Sequence, residues 1–164
     1  MRYGQIRKYD VANGSGIRTT IFVTGCTHNC PECFNKEYQD FSAGNLWTEK
    51  ETQMVIKYLQ DSNVRGLTLL GGEPMQNLEL IDILSKIKKK VDKSIWIYSG
   101  YTYEEIIKDP KKKELLMMCD VLVDGLFINE LKDLKLEFRG SSNQKIIDIE
   151  KSLEEDKVIL YDLN

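Results

Sequence analysis

Strand-like and helix-like stretches alternate along this chain. That alternation constrains the fold more than any other feature, because strands separated by helices lie parallel with the helices packed outside the sheet. Residues 17–24 are rich in β-branched and aromatic side chains and stop at Gly25, which marks a first central strand. Residues 66–70 make a second, ending at Gly71-Gly72-Glu73-Pro74. Residues 94–98 make a third, and residues 121–123 make a fourth that ends at Asp124-Gly125. Between them, Thr48 and Glu51 have capping-box spacing, and Met54, Val55, Tyr58 and Leu59 follow at helical intervals, so a helix is expected over 48–61. Leu80, Ile81, Leu84, Ile87 and Val91 mark one face of the next helix. The lysines at its far end favour the helix dipole and solvate the outer face. Thr102 and Glu105 form a second capping box, and Asp109-Pro110 starts a further helix expected to run through Met118. Residues 145–149 and 157–161 are strand-like and flank a charged run around Glu154, so both are candidates to finish a mostly parallel sheet.

With 164 residues the chain fits a single domain spanning 1–164. The balance of 23 Lys+Arg against 26 Asp+Glu leaves no basic excess for phosphate backbones, so nucleic acid is not an expected partner. The longest apolar runs fall far short of the ~20 residues that span a bilayer, and the first residues lack the apolar core of a secretory signal. A soluble, cytoplasmic protein without membrane contact is expected.

Three of the 4 cysteines crowd into one loop directly after the first strand, as Cys26, Cys30 and Cys33 in C-x3-C-x2-C spacing. Without an export signal this reads as metal or redox chemistry rather than a disulfide framework. A structural zinc site needs four ligands and usually uses paired C-x2-C knuckles. Cys119 is one candidate for the fourth. His28 is another, although its position between Cys26 and Cys30 would strain the loop. A cubane iron-sulfur cluster held by three thiolates instead keeps one iron open for chemistry. His28, the only histidine, has no acid/base partner visible in the sequence.

The C-x3-C-x2-C loop after one strand and Gly71-Gly72-Glu73-Pro74 after the next together resemble the radical S-adenosylmethionine superfamily. Asn13-Gly14-Ser15-Gly16-Ile17-Arg18 resembles the motif that leads into the first strand of glycyl-radical-enzyme activases, although those more often have Gly-Pro-Gly. Residues 98–102, 120–125 and 138–144 are similar to the activating proteins of anaerobic, class III ribonucleoside-triphosphate reductases. The resemblance runs from about Gly4 to Asp148. It implies an α/β fold, an open partial (β/α) barrel of the radical S-adenosylmethionine type. A complete barrel needs about 200 residues or more, so about five or six strands are expected here.

The resemblance further implies that Cys26, Cys30 and Cys33 hold a 4Fe-4S cluster whose open iron is chelated by S-adenosyl-L-methionine. Reductive cleavage would then give a 5'-deoxyadenosyl radical, with a flavodoxin or ferredoxin as electron donor. Cofactor contacts are implied at Glu32, Cys33 and Phe34, at Gly71, Gly72 and Glu73, and at Ser99 and Asp124. Several of these have plainer alternatives. Phe34 is equally suited to core packing, the double glycine and Glu73 to turn formation, and Ser99 and Asp124 to strand-end capping. Arg139 fits either a cofactor carboxylate, a partner contact or a surface turn. A side chain at Gly72 is expected to block the cofactor while sparing the cluster.

An open mouth, with no inserted domain to wrap a small molecule, suits a protein substrate that closes the site itself. The implied activity is that of an activase placing a glycyl radical on the anaerobic ribonucleoside-triphosphate reductase. The alternatives are activation of a formate-lyase-type glycyl radical enzyme, a zinc-binding interaction module, and a plain electron carrier.

Overall fold

The computed structural model describes residues 1–163 of the chain, so the last residue of the expected 1–164 domain lies outside the described residues. Its sheet is built around Arg18–Val23, where every residue is buried. Among the described residues the strands are β1 (Arg2–Asp10), β2 (Arg18–Val23), β3 (Asn45–Leu46), β4 (Gly66–Gly71), β5 (Ser94–Tyr98), β6 (Val121–Asp124) and β7 (Lys145–Asp148), and they lie in the order β3-β1-β2-β4-β5-β6-β7.

The mixed character of this sheet corrects the expectation of a mostly parallel one. β2, β4, β5 and β6 run parallel, whereas β1 is antiparallel to β2 and β3, and β7 is antiparallel to β6. The cause lies in the connections. Parallel neighbours need a crossover, usually helical, and such helices separate β2 through β6, but only a short 3-10 turn at Asn129–Leu131 lies between β6 and β7. The sheet also has seven strands rather than five or six, and it is open, because β3 and β7 each pair with one neighbouring strand.

Strict alternation along the strands sorts two faces. Ile21, Leu69, Ile97 and Leu122 are in register across β2, β4, β5 and β6 and belong to the helix-side core. One residue later, Phe22, Leu70, Tyr98 and Val123 point the other way and line a cavity. The helices are α1 (Glu49–Leu59), α2 (Leu80–Lys88), α3 (Tyr103–Ile107), α4 (Pro110–Leu116) and α5 (Ile149–Glu155). Helix α1 starts one residue after its cap Thr48 and ends two residues short of Asp61. At α3, Glu105 N donates to Thr102 Oγ1 at 3.2 Å while Thr102 N donates to Glu105 Oε1 at 2.9 Å. The carboxylate of Asp109 accepts from Lys111 N and Lys112 N at the start of α4, which ends at Leu116 rather than Met118. Among the described residues no helix is long and apolar enough to cross a membrane.

The tail departs from its strand-like reading. After α5, Asp156 takes a left-handed conformation at φ 55°, and the following segment meets β7 through a single bridge, Ile147 to Leu160.

Candidate cofactor site

The parallel strands end together, and the residues following them enclose a cavity of about 420 Å³. This is where open α/β sheets bind ligands, outside the carboxyl ends of their strands. The volume falls within the range of small-molecule sites. Cys26, Cys30 and Cys33 come from the loop after β2, Gly71, Gly72 and Glu73 from the end of β4, Ser99 and Gly100 from the end of β5, and Gly125 from the end of β6.

Backbone geometry explains the loop's path. Gly25 has φ +105°, and Asn29 and Glu32 are left-handed at φ 55° and 56°, so the chain coils tightly between the cysteines. Its root is fixed by Gly25 N to Tyr38 O at 2.8 Å and Cys26 N to Gln39 O at 2.9 Å. The end of β4 is tied to the same root, through Gly72 N to Val23 O and Glu73 N to Gly25 O, both at 2.8 Å.

The two glycines have different duties. Gly71 has φ +106°, and a Cβ there would lie 2.4 Å from Val23 O. At Gly72 a Cβ would lie 2.6 Å from both Gly25 O and Tyr38 O. A side chain at Gly72 therefore collides with the base of the cysteine loop. Blocking of the cofactor with the cluster spared is the expectation at this position, and the first atoms a Cβ meets there are backbone atoms at the root of the cysteine loop.

All three thiols face one cavity without converging, since among the described residues no three His, Cys, Asp or Glu side chains are close enough for one metal ion. Burial pushes the Cys26 thiol up, reinforced by the Glu73 carboxylate and the two other sulfurs, against a hydrogen bond from the backbone N–H of His28. Burial and the Cys33 sulfur push Cys30 up as well. Cys33 Sγ accepts from Asn35 N at 3.4 Å. Three thiols on one partly buried wall would repel one another once ionised, so this donor set suits a multi-iron cationic centre that spans the gap between them. The zinc alternative loses Cys119 as its fourth ligand. Cys119 is buried in the helix-side core, where its thiol donates to Leu115 O at 3.4 Å.

Glu73 is 1% exposed, and both its oxygens are occupied. Oε1 accepts from Gly100 N at 2.7 Å and meets His28 Nε2 at 2.6 Å, while Oε2 accepts from Met75 N and Ser99 Oγ, each at 2.9 Å. His28 thus has the carboxylate partner that the sequence did not reveal. The hydroxyl of Ser99 is spent on Glu73 and also accepts from Tyr101 N at 3.0 Å. Asp124 accepts from Tyr103 N at 2.8 Å and Lys145 N at 3.3 Å, and burial pushes its carboxyl above the usual range. That is strand-end capping, and Asp124 is absent from the cavity wall.

Glu32 is exposed and also off that wall. Phe34 stands half-exposed at the rim, its ring 4.7 Å from that of Phe127 and Lys132 Nζ 5.2 Å above it, so it is neither core nor free. Arg139 lines the cavity. Its Nη1 donates to Gln144 O at 2.8 Å, but its Nε is buried without a hydrogen-bond partner. A buried guanidinium N–H without a partner is a donor left unsatisfied by the protein itself. Phe127 and Gln144 also line the site and were missed by the sequence reading. Their only local signal is adjacency to the Asp124-Gly125 strand end and to Arg139.

Comparison with known proteins agrees with this donor set. The family model described as "4Fe-4S single cluster domain" matches residues 12–147. The chain is 41% identical over 152 residues to the anaerobic ribonucleoside-triphosphate reductase-activating protein of Haemophilus influenzae, covering 89% of this chain and 97% of that one. It is 36% identical over the same length to the Escherichia coli K12 protein of that name, again covering 89% and 97%. With the protein of that name from Enterobacteria phage T4 the identity is 38% over 150 residues, covering 89% and 93%.

Proposed function

Because the chain belongs to the family of anaerobic ribonucleoside-triphosphate reductase-activating proteins, we propose that its strand-end cavity holds a 4Fe-4S cluster together with S-adenosylmethionine, and that the protein generates a glycyl radical on the reductase. The observation that carries this reading is the meeting of three cysteine thiols with the glycine-lined end of β4 on one cavity wall. Cys26, Cys30 and Cys33 would hold the cluster. When bound, the cluster supplies the electron that reductively cleaves the sulfonium of S-adenosylmethionine, the source of a 5'-deoxyadenosyl radical.

The chain's own residues bind, orient and exclude water. Gly71 and Gly72 let the end of β4 lie close against the loop, so cluster and cofactor share one confined space. Arg139 Nε offers its unpaired N–H to the cofactor carboxylate, and the half-exposed ring of Phe34 offers a face to the adenine. Glu73 shapes the wall rather than binding the cofactor ammonium, since both its oxygens already have donors. A glycine-bearing segment of the reductase completes the enclosure, since glycine fits a narrow mouth and its Cα radical is stabilised by the flanking amides. A flavodoxin- or ferredoxin-type protein in the cytoplasm delivers the electron.

The test is anaerobic reconstitution with iron and sulfide, followed by S-adenosylmethionine, reductant and the reductase. The expected result is cofactor cleavage and a persistent protein-centred radical on the reductase, absent when the partner's acceptor glycine is changed to alanine. Cofactor cleavage with no radical on the reductase, but with one on another glycyl radical enzyme, would overturn the partner while keeping the chemistry.

A further inference from the structure

His28 has no part in the chemistry proposed above, yet its imidazole is held on three sides. Its Nε2–H donates to Glu73 Oε1 at 2.6 Å, and its ring meets Tyr101 edge-on with centroids 4.6 Å apart. The third side is Gly100, where an added Cβ would lie 2.7 Å from His28 Cδ2 and 2.8 Å from Nε2. The ring thus fills the space a side chain at position 100 would need.

This matters because the loop has little else to fix it. Among the described residues, 27–34 lie outside every helix and strand, and their regular backbone structure is limited to the tight turns at 31–32 and 34–35. Beyond its root and these turns, the loop is placed by contacts with other segments, among them the backbone N–H of Phe127 on the Cys30 thiol. One tether is Gln76, whose Oε1 accepts from Thr27 N at 3.0 Å and whose Nε2 donates to Thr27 Oγ1 at 2.7 Å and to Tyr101 Oη at 2.9 Å. Another is the His28 bond to a carboxylate that is buried and already fixed from β5 and the turn after β4. A carboxylate has about four acceptor sites, and here each is matched by a donor. Glu73 is thus an anchored post to which the loop is tied.

The geometry points to His28 as a positioning residue: its bond to Glu73 ties the first half of the cysteine loop to the ends of β4 and β5 and so sets where Cys26 and Cys30 stand relative to the cofactor wall. A hydrogen bond to a buried charge is among the stronger tethers available, and a ring locked by packing spends little of it on ordering. The inference rests on the cavity being the cluster and S-adenosylmethionine site, but the placement of the loop can be measured without either.

Three variants separate the bond from the ring. His28→Leu removes the donor and keeps bulk, His28→Gln returns an N–H near the position of Nε2, and Gly100→Ala displaces the ring while leaving His28 intact. In cluster-free protein, the rate of iodoacetamide alkylation at each cysteine, resolved by mass spectrometry, reports how firmly the loop is held. His28→Leu and Gly100→Ala are expected to raise the rates at Cys26 and Cys30 about fivefold, with His28→Gln within about twofold of wild type and Cys119 unchanged as internal control of folding.

In reconstituted protein, His28→Leu should retain iron, raise the KM for S-adenosylmethionine about tenfold and change kcat much less, with His28→Gln restoring it. Wild-type alkylation rates and KM in His28→Leu would overturn the inference. So would a His28→Gln protein no better than His28→Leu, because the ring and not its bond to Glu73 would then be what matters. If wild-type protein holds a cluster but does not cleave S-adenosylmethionine, the functional reading fails while the alkylation rates still decide the role of His28.

Discussion

At the scale of single residues, the four cysteines divide by environment. Cys26→Ala, Cys30→Ala and Cys33→Ala should each prevent a stable cluster from forming, whereas Cys119→Ser should keep full iron content, since Cys119 packs in the helix-side core and its hydroxyl replacement can still donate to Leu115 O. Iron and sulfide analysis after anaerobic reconstitution distinguishes the two classes. Asp10, which does not itself line the cavity, gives a pH-dependent counterpart. Burial pushes its carboxyl up, but hydrogen bonds from Asn13 Nδ2 at 2.8 Å, Ala12 N at 2.9 Å and Thr20 Oγ1 at 2.7 Å, with Arg7 nearby, outweigh that and hold it below its ordinary 3.8. A carboxyl lowered by folding contributes stability that is complete above its unfolded value and is lost as pH falls through the folded one. Asp10→Asn should therefore cost about 1–2 kcal/mol at neutral pH, with the gap to wild type closing as pH falls below the ordinary 3.8, as read by urea denaturation of cluster-free protein at neutral and at acidic pH. The three cavity cysteines were legible because C-x3-C-x2-C spacing is local in sequence. The His28–Glu73 bond was not, because its partners are 45 residues apart and meet only when β2 and β4 pair.

At the scale of elements, the end of β4 carries the clearest prediction. Gly71→Ala puts a Cβ 2.4 Å from Val23 O in a left-handed backbone and should destabilise the protein by about 2–4 kcal/mol. Gly72→Val presses on Gly25 O and Tyr38 O, so iron content and S-adenosylmethionine binding should fall together. Cofactor binding lost with iron content intact would return Gly72 to the role of a simple gate. The interior strands were readable in advance, since β2, β4, β5 and β6 are short runs rich in β-branched, aliphatic and aromatic residues with Gly or Asp at or within two residues of their ends, and β5 falls at the expected residues. So were the helix starts, because a capping box depends only on residues three apart. β1 was not legible. Its sequence RYGQIRKYD shows no apolar alternation, most of its side chains are only half-buried, and it is a strand because β2 offers it a ladder of backbone partners, interrupted by two register shifts. Parallel or antiparallel pairing at the edges was hidden for a related reason, since it is set by where a connection returns and not by the strand's own residues.

At the scale of the whole molecule, the cavity occupies one end of the strands, and the tail closes the inner face nearer their starts. Arg18, the first residue of β2, is 1% exposed and donates to Thr68 Oγ1 and to the carbonyls of Ser15, Leu67 and Ser94, with its guanidinium 5.6 Å from the Trp96 ring. Burial lowers it to about 10, so it stays charged at neutral pH and depends on this shell. Trp96 is walled by Phe138, edge-on at 5.5 Å, and by Tyr161, edge-on at 5.4 Å, and Tyr161 is brought there by its N–H to Ile146 O at 2.9 Å. The tail thus sets Tyr161 against the indole that the buried Arg18 faces and Val158 against the helix-side core, while residues 157–161, strand-like in sequence, make only one bridge. Neither Trp96 nor Tyr161 lines the cavity. Tyr161→Ala should cost about 2–3 kcal/mol, from the lost ring contact and from water reaching Trp96, while iron content and S-adenosylmethionine affinity stay at wild-type levels at low temperature. Urea denaturation followed by tryptophan fluorescence measures the first quantity, and anaerobic reconstitution the second. A Tyr161→Ala protein of normal stability that fails to hold its cluster would mean that the two ends of the sheet are coupled, and that the tail serves the cavity rather than the floor beneath it.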